Sequence, residues 1–238
     1  NSLLQSSTFL TDRVMAYVFG MSSNPTQQFY EGQIDNLVNY IGEGNDDVKL
    51  ALLRAVWQNM TMIGEDNVAV YISKKYLFEL AEKAEDDLLL SVLTTQKNTA
   101  IGATALDFPI TLDVNDKNTP ATLHKLNLAD NYLLIFWNSG CFHCLEQLPE
   151  IKKAVDQMDA KKIKVVAYAT QGESEVWRNE IKKYPNFIHV IDSGNPIRYM
   201  GSEYGVESTP TFFILDKDKK IIEKPYSLDE LLTILSQL

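Results

Sequence analysis

Cysteine occurs twice in this 238-residue chain, at Cys141 and Cys144, and the pair stands between two segments of different periodicity. The apolar run Tyr132-Leu133-Leu134-Ile135-Phe136-Trp137 precedes it and reads as a buried strand, while a helical pattern follows it. A strand that feeds a helix through Cys141-Phe142-His143-Cys144 puts both sulfurs in the first helical turn. Unpaired N–H groups and partial positive charge there favour a thiolate at Cys141. Two thiols at this spacing can close a small disulfide. The arrangement predicts a redox dithiol, with Cys141 as nucleophile and Cys144 as resolving thiol.

Two other readings use the same residues. A CxxC can be half of a zinc site, but no second CxxC exists, and His124 and His189 show no paired spacing, so no metal is expected. Two unrelated buried cysteines would not explain why both fall in one helical turn directly after a strand.

At 45% hydrophobic and 23% charged, the composition is globular, and the length suits one large or two ordinary domains. The formal charge of −10 argues against nucleic acid or an anionic membrane surface as partner, because a polyanion is repelled. Lysines cluster at Lys161-Lys162 and from Lys217 to Lys220, in turn-like stretches where solvated side chains are expected. No run approaches the roughly 20 apolar residues of a spanning helix. The chain opens on Asn1 rather than Met, which leaves room for a removed signal peptide, lipid anchor or larger domain upstream. A membrane is therefore expected as partner only through such an anchor. Asn59-Met60-Thr61 matches a glycosylation triplet but lies inside a helical pattern and is read as chance.

The first hundred residues read as helices. Residues 26 to 41 place Phe29, Ile34, Leu37, Val38 and Ile41 on one face, and residues 46 to 63 do the same with Val48, Leu52, Ala55, Val56, Met60 and Ile63. Asn24-Pro25, Gly42-Glu43-Gly44-Asn45 and Gly64-Glu65-Asp66-Asn67 supply the stops and starts. Further helices are expected over 8 to 19, 67 to 83 and 86 to 97. Near residue 100 the pattern changes: 108 to 114 alternates as a short strand, with a hairpin return and a helical turn through 123 to 128. Then strands at 132–137, 163–169, 187–191, 211–215 and 220–224 alternate with helices at 142–159, 173–184, 196–203 and 227–237. That alternation means an α/β sheet with helices on both faces. The expected domains are 1–100, all helical, and 101–238.

Residues 101 to 238 resemble the thioredoxin superfamily, and within it the bacterial TlpA/ResA-like thiol-disulfide oxidoreductases. Five features carry the likeness: Gly102 to Phe108 as lead-in, Leu134-Ile135-Phe136-Trp137 as central strand, the CxxC, Leu148-Pro149-Glu150 as a kinked helix segment, and Tyr204 to Asp216 as the loop and strand around a cis-proline. The resemblance implies a thioredoxin-like fold, a central mixed sheet with flanking helices. It implies that Pro210 is cis and packs beside the disulfide, with the Thr209 backbone offered to an extended substrate. A trans proline opening an edge strand is the simpler alternative. The likeness further assigns redox tuning and substrate contact to His143, Phe142, Trp137, Thr209 and Pro210.

Departures from the family pattern accompany the matches. The buried acid of thioredoxin falls on Ile135, and the glutamate of ResA-type proteins falls on Gln147, so the proton acceptor for Cys144 is unassigned and Glu146 is the neighbouring candidate. Gly140 stands where thioredoxins often carry an aromatic residue, which opens the approach to Cys141. Peroxiredoxins are the nearest enzymatic rival, but Asn138-Ser139-Gly140 lacks their Pro/Thr loop.

The implied activity is disulfide exchange with protein thiols or disulfides, as a reductant served by an unidentified electron donor, in the periplasm or cell envelope of a bacterium. The His143-Cys144 dipeptide resembles that of the oxidant DsbA. No cofactor is implied. The alternative is a partner-binding helical protein with a thioredoxin-like scaffold or redox-sensor domain.

Overall fold

The computed structural model describes residues 8–20, 22–114, 117–191 and 200–238, with backbone only at 8, 113, 114, 117 and 118. The chain divides into two compact units, residues 1–97 and 98–238.

The first unit is helical: α1 (Thr8–Gly20), α2 (Gln27–Ile41), α3 (Asp46–Met62), α4 (Asp66–Ile72), α5 (Phe78–Lys83) and α6 (Asp87–Asn98). Of the faces read from periodicity, Ile34, Leu37, Leu52, Val56 and Met60 are buried in its core with Val18, Leu53, Val68, Ile72, Leu77 and Leu93, whereas Ile63, just past the end of α3, is 51% exposed. Met60 is part of that core and the Asn59 amide bonds the Ala55 carbonyl, so the glycosylation triplet lies within α3. The expected helix over 67 to 83 departs from regularity at one place. Ser73–Leu77 forms a π turn between α4 and α5.

A side-chain knot accounts for the π turn. In a regular α-helix residues 71 and 76 point about 140° apart, whereas the wider i→i+5 turn brings them to one side. There the Tyr71 and Tyr76 hydroxyls both donate to Asp35 Oδ1 of α2, at 2.7 and 2.6 Å, and Lys75 Nζ donates to Oδ2 at 2.8 Å. Burial raises the Asp35 pKa, but the bonds from Lys75, Tyr76 and Tyr71 outweigh it and hold the carboxyl below its ordinary value.

The second unit carries a hairpin, β1 (Pro109–Val114) with β2 (Lys117–Thr122), and a five-stranded sheet. That sheet joins β3 (Asn131–Trp137), β4 (Ile163–Ala169), β5 (Ile188–Ile191), β6 (Thr211–Asp216) and β7 (Ile221–Glu223) in the order β5-β4-β3-β6-β7. The β3–β4 and β4–β5 pairs are parallel, and the β3–β6 and β6–β7 pairs antiparallel, so the sheet is mixed. Helices α7 (Phe142–Val155), α8 (Glu175–Ile181), α9 (Met200–Glu203) and α10 (Leu228–Leu235) flank it. The expected helix over 196 to 203 is described only from Met200 on; residues 196–199 lie outside the described residues, as do 115 and 116 of the hairpin turn.

Strand alternation splits the core of this unit. Leu133, Ile135 and Trp137 face Cys144, Leu148 and Ile151 of α7 and Leu231 and Leu235 of α10. Tyr132, Leu134 and Phe136 face Phe108, Ile110, Leu123 and Tyr204 on the other side. Phe136 sits among the rings of Tyr204, Tyr168 and Phe213 at centroid distances of 4.9, 5.3 and 6.1 Å. Both sheet faces are covered, which is what six consecutive buried residues in β3 require.

The Lys217–Lys220 stretch does not behave uniformly as a solvated turn. Lys217 and Lys220 are exposed, but Lys219 is only 2% exposed. Its left-handed backbone (φ 66°) turns the side chain inward, where Nζ donates to the Leu126 and Lys217 carbonyls at 2.9 and 2.6 Å and lies 4.2 Å from the Tyr132 ring centroid. Two carbonyls and an aromatic face substitute for water around the ammonium.

Asp35→Ala removes the acceptor shared by three donors and is expected to lower stability by about 2 kcal/mol in denaturant unfolding. Because the folded-state pKa of Asp35 is depressed, its contribution is present above the unfolded value and is lost as pH falls through the folded one. The difference between parent and variant should narrow from about pH 7 to about pH 3. A gap that stayed constant over that range would rule out an ionised Asp35 as its source.

Candidate active site

Trp137 closes β3, and four residues later Cys141 is the N-cap of α7. The intervening loop is tightly tied. Cys141 N–H donates to the Asn138 carbonyl at 3.0 Å, and Gly140 N–H to Asn138 Oδ1 at 2.8 Å. A Cβ on Gly140 would lie 3.3 Å from that same oxygen, so glycine suits the closeness of the Asn138 side chain. The buried Ser139 donates its N–H to Gln171 Oε1 at 2.7 Å and accepts from Gln171 Nε2. Neither Ser139 nor Gln171 stands out in the sequence, because their pairing links the start of the site to the end of β4, 32 positions away.

Both cysteines are free thiols, and their environments differ. Cys141 is half-exposed at the rim. Its Sγ donates to the Thr209 carbonyl at 3.1 Å, and Thr209–Pro210 is a cis peptide bond. Burial works against a thiolate at Cys141, but the Thr209 hydroxyl, the Cys144 thiol and the backbone N–H groups of Cys144 and His143 favour it, and the pKa falls below that of an ordinary thiol. Cys144, three residues on, points into the core and is fully buried. Burial first, and then the neighbouring Cys141 sulfur, push its pKa up to about 12, against the opposing bond from the Asn138 backbone.

The other residues singled out by sequence divide between surface and core. Phe142 is 69% exposed and meets the His143 ring edge-on at 6.0 Å, while Thr209 and Pro210 are half-buried. The His143 side chain is 74% exposed, and Nδ1 lies 3.7 Å from Glu146 Oε2. Its nearest influence on Cys141 therefore comes from the backbone N–H rather than the ring. Two of the expected site residues stand apart from the exposed surface at Cys141 or from the buried thiol. The Glu146 side chain is 56% exposed and lies against His143, whereas the Cys144 thiol is fully buried. Trp137 is fully buried in the same apolar cluster as Cys144, so its ring is not exposed beside Cys141 as a substrate-contacting residue would be. At the position after Glu146, Gln147 Oε1 is buried and has no hydrogen-bond partner among the described residues.

A low thiol at the surface and a high thiol beneath it, one turn apart, form a unit that can accept or donate two electrons through a disulfide. In the reduced protein, Cys141 should be alkylated by iodoacetamide much faster than Cys144 near neutral pH, by about tenfold or more. Peptide mapping after brief labelling checks this, and equal labelling would contradict the asymmetry. His143→Ala should leave the labelling profile of Cys141 within about twofold, because an exposed ring is screened by water and the backbone N–H remains.

A protein-family model described as Thioredoxin-like matches residues 130–221. The thiol-disulfide oxidoreductase ResA of a Bacillus cereus strain is 30% identical over 129 residues, covering 52% of this chain and 68% of the relative. The protein of the same name from Bacillus thuringiensis subsp. konkukian is 28% identical over 136 residues, covering 55% and 72%. Among solved structures, a thioredoxin-like protein from Bacteroides caccae ATCC 43185 superposes with a TM-score of 0.56 at 20% identity, over 90% of this chain and 95% of the other, a likeness of fold.

Proposed function

Since the chain belongs to the TlpA/ResA-like thiol-disulfide oxidoreductases of the thioredoxin superfamily, we propose that Cys141 and Cys144 are its redox dithiol and that it reduces disulfides in protein substrates. The observation that carries this reading is the contrast between a half-exposed Cys141 at the α7 N-cap and a fully buried Cys144 one turn later.

The chemistry follows from that contrast. The Cys141 thiolate attacks one sulfur of a substrate disulfide, forming a mixed disulfide and expelling the other sulfur as a thiolate. The Cys141 charge that helped to hold the proton on Cys144 is then gone, so Cys144 ionises more readily. Cys144 sulfur attacks Cys141 sulfur, and its proton passes to the departing substrate thiolate. The sulfur expelled first takes a proton from water, matching the one Cys141 lost on ionising, so the products are a dithiol substrate and a protein disulfide, with two electrons transferred. An electron donor returns the protein to the dithiol. The exchange is reversible, and the reductant direction is supported by the family resemblance.

The exposed Phe142 and the Thr209–Pro210 segment are proposed to meet the substrate chain, and the unit built on α1–α6 to select protein partners. The proposed site of action is the bacterial periplasm or cell envelope, with which the bacterial origin of the ResA relatives is consistent.

Cys144→Ser should accumulate a mixed disulfide at Cys141 that reducing agent releases, while the Cys141→Ser, Cys144→Ser double variant should trap nothing. Trapping that did not depend on Cys141 would overturn the assignment. The parent should also catalyse reduction of a small model disulfide, which a binding protein with a redox-inactive scaffold would not do. Residues 98–238 expressed alone should keep that small-disulfide activity and lose preference among protein substrates. Failure of that segment to fold would show that the helical unit completes its core.

A further inference from the structure

β3 leaves its ladder at Trp137, opposite Ala169 of β4, and its pairing with β6 ends at Phe136. Cys141 is therefore carried on a loop beyond the sheet. The end of β4 continues to hold that loop after the ladder has stopped: Thr170 N–H donates to the Trp137 carbonyl at 2.9 Å, Thr170 Oγ1 approaches the same oxygen at 3.3 Å, and Gln171 grips Ser139 at both backbone N–H and hydroxyl. Ser139 is 4% exposed, so these bonds are largely shielded from water and their loss leaves a donor short of a partner. On the other side of the sulfur stands Thr209, whose carbonyl accepts from Cys141 Sγ at 3.1 Å. The sulfur is thus located by two independent supports, the α7 start hung from Gln171 and the loop before Pro210.

We propose that Gln171 is a positioning residue of the dithiol site, which anchors the Asn138–Gly140 loop to the end of β4 and so sets where Cys141 Sγ stands against the first N–H groups of α7 and against Thr209. The inference rests on the dithiol reading above. Gln171 itself bonds Ser139 and acts on the sulfur only through the loop. An amide suits this role, since one end accepts from an N–H while the other donates to a hydroxyl oxygen, and both partners lie on one residue. Loosening the anchor lets the sulfur drift from the donors that favour its ionised form, which makes Cys141 a weaker nucleophile near neutral pH.

The test uses the full chain with Gln171→Met, which keeps bulk and removes both bonds, and Ser139→Ala, which removes only the hydroxyl bond. Iodoacetamide labelling of Cys141 is followed as a function of pH, alongside the thiolate absorbance and a thermal melt. In Gln171→Met, labelling near neutral pH should slow by about threefold or more, with the pH profile displaced upward and the plateau rate at high pH retained. Ser139→Ala should shift the profile in the same direction by less. A Gln171→Met profile that is unchanged or displaced downward overturns the proposal. If Gln171→Met does not fold, Ser139→Ala decides, and an unshifted profile there overturns it. A parent protein in which Cys141 labels no faster than Cys144 would instead overturn the dithiol reading, and this inference with it.

Discussion

Everything at this site depends on one helical turn being half in and half out of an apolar layer. Helix α7 is held to the sheet by Cys144, Leu148 and Ile151, which pack against Leu133, Ile135 and Trp137. Residues three and four apart share a helix face, so burying Leu148 and Ile151 also buries Cys144. Cys141 is one turn earlier, where the helix ends and its N–H groups are unpaired. The same packing that stabilises the helix therefore gives two identical thiols different affinities for a proton. Without the apolar contact the two thiols would lose that contrast.

The loop before the helix matters for the same reason. A cap position has no preceding turn to hold it, so its geometry is only as good as its tethers. Here they come from Asn138 within the loop, from Thr170 and Gln171 at the end of β4 and from Thr209 on the loop before β6. Three chain segments far apart in sequence converge on the short loop and cap that carry one sulfur. Such convergence at the C-terminal edge of a sheet is where α/β proteins ordinarily place their chemistry.

Much of this is legible in the sequence, because the signals are local. Six apolar residues ending in Trp137, a CxxC and a helical pattern specify strand, cap and helix without reference to anything distant. Helix limits are less exact: the pattern predicts 173 to 184, yet α8 spans Glu175–Ile181, because the Ser174 hydroxyl accepts from Trp177 N–H and starts the helix late. What cannot be read depends on partners elsewhere in the chain. The π turn answers to Asp35, some 40 positions upstream of Tyr76 and Lys75. The burial of Lys219 answers to the Leu126 carbonyl, and the part played by Gln171 to Ser139. Glu146 is a candidate by adjacency alone, and the rotation of one residue along α7 directs it to water instead of toward Cys144.

Lys219 also makes the second unit chemically self-reporting. Its amine is enclosed by the Leu126 and Lys217 carbonyls and the Tyr132 ring, while Lys217 and Lys220 on either side are open to solvent. An acylating reagent thus meets two reactive lysines and, between them, one that is silent for as long as the segment ending at Leu126 stays docked on the β6–β7 turn. Modification at that single position would record how often this edge of the fold breathes, a clock set by local opening rather than by global unfolding.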